Sequence, residues 1–149
     1  MPPDSDPRPV TEIDFYTHAA DRLQVALRLC VKAYRMGMRV RVLTSDAATT
    51  ARLDQLLWTA PPIGFIPHCR LASRVAEETP VIVDEAPEHS GPAELLINLH
   101  AEQPGFFRRF ARLAEIVSAD AADVAAGRVK WQYYKQQGYT LRAHNLAAG

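Results

Sequence analysis

Two groups of side chains in this 149-residue chain have the types and spacing for recognition, and neither is arranged for bond-making. The first is Leu53-Asp54-Gln55-Leu56-Leu57-Trp58, followed past Pro61-Pro62 by Phe65-Ile66-Pro67-His68. Leu53, Leu56 and Leu57 recur at helical spacing, so the segment reads as a helix whose end throws Trp58 outward. The turn after it presents Phe65 as a second aromatic. Large aromatics at a helix rim, with Ile63 and Ile66 beside them, have the composition of protein–protein anchors. The plainer reading is a large residue closing the core under a loop.

The second group is carried by a predicted last helix, where Val124, Arg128, Trp131 and Lys135 follow one another at offsets of four, three and four. That face combines cations, an indole and an aliphatic group, with Lys130 and Arg142 adding positive charge nearby. A short acidic peptide ending in an apolar side chain matches it, cations to carboxylates and apolar groups to the end. A solvated basic face with Trp131 half buried is the alternative.

No catalytic, metal or cofactor chemistry is spelled out elsewhere. His18, His68, His89, His100 and His144 are scattered without helical ligand spacing and read as surface or loop histidines. The adjacent pairs Glu77-Glu78 and Asp84-Glu85 diverge and read as solvated loop. Ser45, Ser73, Ser90 and Ser118 lack an elbow context. Cys30 and Cys69 have neither metal-ligand spacing nor a disulfide framework, and Cys30 falls on an apolar helix face as a packed thiol.

The elements that must position these groups follow from periodicity. Val10 to His18 reads as a first strand, and Asp21 caps a helix whose apolar stripe runs Leu23, Ala26, Leu27, Cys30, Val31 and Tyr34 up to Gly37. Arg39 to Thr44 is a second strand, and Asp46 caps the helix that ends at Pro61-Pro62. Val81 to Val83, Leu95 to Leu99 and Leu113 to Val117 are further strands, with an acidic loop over Asp84 to Pro92 and a helical turn at Phe106 to Phe110. Ala119 to Gln137 is the last helix, with Asp120 as cap and Ala122, Ala126, Val129 and Tyr133 as the stripe facing the sheet; Tyr139 to Arg142 adds an edge strand.

Strand–helix alternation in these lengths predicts an α/β domain of three layers: a mostly parallel sheet with helices on both faces. It is mononucleotide-binding-like (Rossmann-like) without a glycine-rich phosphate loop, because the first strand–helix turn, Thr17-His18-Ala19-Ala20-Asp21, contains no glycine. The expected organisation is a disordered Pro- and Asp-rich lead over residues 1–9 and a single domain over 10–149.

Lys and Arg together number 17, as do Asp and Glu, so the formal net charge is zero. That disfavours bulk nucleic acid or anionic membrane as the main partner. No apolar run approaches the roughly 18 residues of a membrane helix, and the start is not that of a secretion signal. A cytoplasmic protein is expected.

The chain resembles the chi subunit of bacterial DNA polymerase III holoenzyme. Leu53-Asp54-x-x-Leu57-Trp58 with Phe65-Ile66-Pro67-His68 is similar to the best-marked segment of that family. Ile13-Asp14-Phe15-Tyr16, the first helix ending near Gly37, the Val40 to Leu43 strand and Tyr134-Lys135-x-x-Gly138-Tyr139 also match, covering about Glu12 to Leu141. The resemblance implies an accessory role without catalysis or cofactor, linking the clamp loader, through a partner called psi, to the acidic, Phe-ending tail of single-stranded DNA-binding protein, with DNA met only indirectly. It assigns Trp58 and Phe65, with Ile66, Pro67 and His68, to the psi contact. Arg128, Trp131 and the apolar wall Val117 go to the tail pocket, with Val124 where relatives often carry lysine, so Arg128 acts with Lys130, Lys135 or Arg142. The alternative kept beside it is a small nucleotide-dependent or nucleic-acid-processing enzyme on the same fold.

Overall fold

A computed structural model describes residues 11–59, 66–89, 91 and 93–147. Its elements are β1 (Glu12–Ala19), α1 (Arg22–Arg35), β2 (Val40–Leu43), α2 (Ala47–Thr59), β3 (His68–Cys69), β4 (Val81–Asp84), β5 (Leu95–Asn98), β6 (Arg112–Ser118), α3 (Ala121–Gln136) and β7 (Leu141–Asn145). The strands form one sheet in the order β3-β4-β2-β5-β6-β1-β7, and each pairing is parallel. Residues 1–10, and with them the predicted lead, lie outside the described residues, as does Pro61-Pro62.

Strand order fixes the layers. The β1–α1–β2 and β2–α2–β3 connections step toward one edge of the sheet, while β6–α3–β7 steps the other way. Right-handed crossovers therefore place α3 on the opposite face from α1 and α2. Two cores result. Leu23, Ala26, Leu27, Cys30 and Val31 of α1, with Leu53 and Leu57 of α2, pack on Val40, Val42, Val81, Val83, Ile97 and Ile116. Ile13, Phe15, Leu96, Leu113 and Val117 on the other face pack with Phe107, Phe110 and Tyr134.

Sequence signals hold at both ends of α1 and at the start of α2. Asp21 accepts from the Leu23 and Gln24 amides, and Asp46 from that of Thr49 at 2.7 Å. Gly37 takes φ 74 beyond α1, a conformation that suits a residue without Cβ. At α3 the expectation is corrected. Asp120 occupies the cap position but its side chain caps nothing; Ser118 Oγ accepts from the Asp120 amide and donates to Asp123 at 2.5 Å.

The inward stripe of α3 is also displaced by one residue from the predicted one. Gly127, Lys130 and Tyr134 are buried, whereas Val129 is 70% exposed. A charge brings this about. Glu115 on β6 is fully buried and is met by Lys130 Nζ at 2.7 Å, Tyr134 OH at 2.7 Å and Asn98 Nδ2 at 3.0 Å. Burial pushes its carboxyl up, opposed by the ammonium and the neutral donors.

The loop after β4 is likewise less solvated than expected. Asp84 is buried and accepts from Arg70 Nε and the Leu71 and Ala86 amides. Arg41, with no exposed surface, donates to the Ala86 and Glu88 carbonyls, and burial lowers its pKa to about 10. His89 is buried against Phe106 and Phe110 rather than on the surface. β3, absent from the sequence reading, is a two-residue edge strand beside β4.

Candidate functional site

In a doubly wound sheet, ligands favour the crevice at the carboxyl ends of neighbouring strands whose connections leave by opposite faces. One such place lies between β1 and β6. Beside it the Arg22 side chain ties the ends of β5 and β6, donating to Ile116 O at 3.2 Å and Leu99 O at 2.6 Å. The amides at the start of α1, which would meet a phosphate, already serve the Asp21 carboxylate. Both charges are built into the fold where a nucleotide would sit. Among the described residues no group of three His, Cys, Asp or Glu side chains could hold a metal ion, and no helix is long and apolar enough to cross a membrane.

A better-formed depression opens beside α3. A cavity of about 400 Å³ has a sheet wall of Phe15, Thr17, His18 and Ala143, a helix wall of Val124, Gly127, Arg128 and Trp131, and Val117 and Ser118 at its end. Val124, Arg128 and Trp131 of the second group thus meet around one cavity, together with Val117, which the resemblance assigned to the same pocket. Lys135 is exposed further along α3 and does not line it. Two neighbouring cations are committed elsewhere: Lys130 to Glu115, and Arg142 to Asp14 at 2.9 Å and Glu12 at 3.2 Å. Of the arginines and lysines, Arg128 is the one that lines the cavity among the described residues, and it is exposed.

Packing explains the cavity's shape. Trp131 is half buried, its ring edge-on to Phe15 with centroids 5.1 Å apart. Gly127 allows α3 to sit close to β6; a Cβ there would lie 3.1 Å from Val117 Cγ2. The floor is therefore apolar and the rim polar, dimensions and chemistry that suit one large apolar side chain attached to an anionic chain.

His18, Thr17 and Phe15 were missed in the sequence reading as members of this site. His18 has φ 60, in the left-handed region, which costs a residue with a Cβ about 1–2 kcal/mol. The β1–β6 register shifts between Tyr16 and Ala19. A strand–helix turn without glycine, noted above only as an argument against phosphate binding, was the available signal.

The first group sits on the other layer. Trp58 is 56% exposed near the end of α2, edge-on to the His68 ring with centroids 5.5 Å apart. The His68 side chain is buried beneath it, with Nδ1 2.7 Å from Ile66 O and Nε2 2.9 Å from Asp54 Oδ1. Ile66 is fully buried in the α1–α2 core, so it supports this surface from beneath instead of lining it. Pro67 is partly exposed, and Phe65 lies outside the described residues.

The same chain has relatives. Residues 10–142 match the family model described as DNA polymerase III chi subunit, HolC. DNA polymerase III subunit chi of Pseudomonas aeruginosa is 43% identical over 141 residues, covering 92% of this chain and 98% of that protein. The subunits chi of Haemophilus influenzae and Escherichia coli are 26% and 24% identical, covering 83% and 79% of this chain and 86% and 81% of their own lengths. On a match that runs through both surfaces and nearly the whole domain, the chain belongs to the DNA polymerase III chi subunit family.

Proposed function

We propose that the chain is a non-catalytic adaptor of the replication machinery, working in the cytoplasm with two protein-binding surfaces. The cavity between α3 and the β1–β7 edge takes the acidic C-terminal tail of single-stranded DNA-binding protein. The surface around Trp58, with Pro67, His68 and Phe65, takes the psi subunit of the clamp loader. DNA is reached through these partners.

The observation that carries the reading is the pairing of an apolar cavity with an exposed arginine at its rim. Val117, Val124 and Trp131 offer the terminal Phe side chain a site to bury, and Arg128 offers charge-assisted hydrogen bonds to the carboxylates beside it. Exposure of Arg128 makes the electrostatic part sensitive to screening.

Titration of the full chain with a fluorescent peptide copying that tail tests this. Binding that requires the final Phe and weakens with salt is the expected result. Arg128→Ala should weaken it by about 1–3 kcal/mol, the worth of hydrogen bonds to a charged partner. An unchanged affinity in that variant rejects the pocket.

A further inference from the structure

We propose that His18 is a specificity-determining residue of the α3 cavity, held in a left-handed conformation by a bulge in β1 so that its ring meets the α-carboxylate of a bound peptide. The inference rests on the tail-binding reading given above.

Strand parity shows that the placement of this ring is anomalous. Side chains alternate along β1, and Phe15 belongs to the core on the α3 face, while Tyr16 packs with the core on the α1 face. By that alternation Thr17 faces α3 and His18 faces α1. Yet His18 lines the same cavity as Phe15 and Thr17. Its Nδ1 lies 3.0 Å from Thr17 Oγ1, a contact between consecutive side chains that a regular strand keeps on opposite faces. Beyond it, Ala19 is buried in the α1-side core, so the alternation has slipped by one residue across the bulge. Bulges beside binding sites commonly serve to re-aim a side chain.

The turn into α1 does not itself call for an imidazole. Glycine adopts this φ without strain and would serve the backbone better. A non-glycine residue kept at φ 60 on a cavity wall is the kind of outlier that points to function. The Thr17 hydroxyl has two acceptors in reach, His144 O at 3.5 Å and Nδ1 at 3.0 Å; donated to the nearer Nδ1, its proton leaves the ring's own proton on Nε2 as a donor to a ligand. With an apolar terminal side chain seated in the cavity against Trp131, Val117 and Val124, the terminal carboxylate lies two bonds beyond its Cβ. That position is at the rim, between the sheet wall that carries His18 and the helix wall that carries Arg128.

The test uses one short acidic peptide ending in Phe in two forms, free acid and C-terminal amide, with the full chain, His18→Gly and Arg128→Ala. His18→Gly should weaken the free-acid peptide by about three- to tenfold, the range of one ordinary hydrogen bond. The same variant should melt at or above the wild-type temperature, because the backbone strain is relieved. With the amide its penalty should vanish, a coupling that a purely structural role would not produce. Undiminished free-acid affinity in His18→Gly, while Arg128→Ala binds less, removes His18 and leaves the pocket standing. A penalty that persists with the amide overturns the carboxylate contact. Absence of binding by the wild-type chain overturns both readings.

Discussion

Trp58 is an indole left more than half exposed while its polar surroundings are fixed. The His68 side chain is 1% exposed and bridges from Asp54 to the Ile66 carbonyl, so the indole lies against a positioned ring. Ordering such a residue before binding lowers the entropy lost on association, which is what makes aromatic anchors effective. Trp58→Ala should therefore cost the fold less than about 1 kcal/mol, as surface substitutions do. It should cost the proposed psi contact about 2 kcal/mol or more. Calorimetric titration with the partner, beside a thermal melt, checks both, and tail binding should be untouched. The exposure of Trp58 was readable in the sequence because a Trp at a helix end breaks the apolar stripe. The burial of Ile66 was not, since nothing local distinguishes an apolar residue facing a partner from one facing the core.

At the scale of elements, α3 does the positioning. It is fastened by a charged pair, Lys130 to Glu115, and by the Tyr134 hydroxyl. Apolar periodicity alone therefore placed its inward face one residue too early. β1 and β6 were legible, but the carboxylate hidden on β6 was not, because a single Glu in an apolar strand gives no sign of its donors, which come from β5 and α3. Gly127 ties this packing to the cavity. Ala in place of Gly gains about 1 kcal/mol in a helix interior, while its methyl would crowd Val117 at 3.1 Å. These effects oppose one another, and Val117 can yield toward the cavity that it lines. Gly127→Ala should accordingly leave the melting temperature within a few degrees of wild type and weaken the tail several-fold by narrowing the floor. A melt paired with the peptide titration separates the two effects.

Across the whole molecule, ionisable groups set the response to acid. His89 is held down to about 4 by burial and by the Arg41 and Arg109 guanidinium groups. Its folded value lies below the ordinary 6.5, so its stabilisation is complete above that value and is lost as pH falls toward 4. For Asp14, burial raises the carboxyl, but Arg142, His144 and Arg112 more than reverse this, to about 2. Asp84 also sits at about 2, through Arg70 and the Ala86 and Leu71 amides working against its burial. Their contribution is present above about 4 and lost on the way down to 2. Stability should thus decline in two stages, the upper one worth up to about 3 kcal/mol for a shift of this size. Denaturant melts between pH 7 and about 2 should show both stages, and His89→Gln should flatten the upper one. The parallel three-layer plan itself was legible from alternating strand and helix lengths; β3 was not, because two residues carry no period.

Strand order also fixes a distance. Trp58 belongs to the layer that covers the β3–β4 edge, and the α3 cavity to the opposite layer at the β1–β7 edge. Six inter-strand spacings separate the outer strands, about 29 Å at 4.8 Å each. Partners seated at the two ends would not collide, and the hydrogen-bonded ladder between them works as a strut. A partner docked on one side would be confined to a few nanometres around the other, at a local concentration on the order of millimolar. The two contacts stand in series along that strut, so the weaker of them sets how long the bridge lasts.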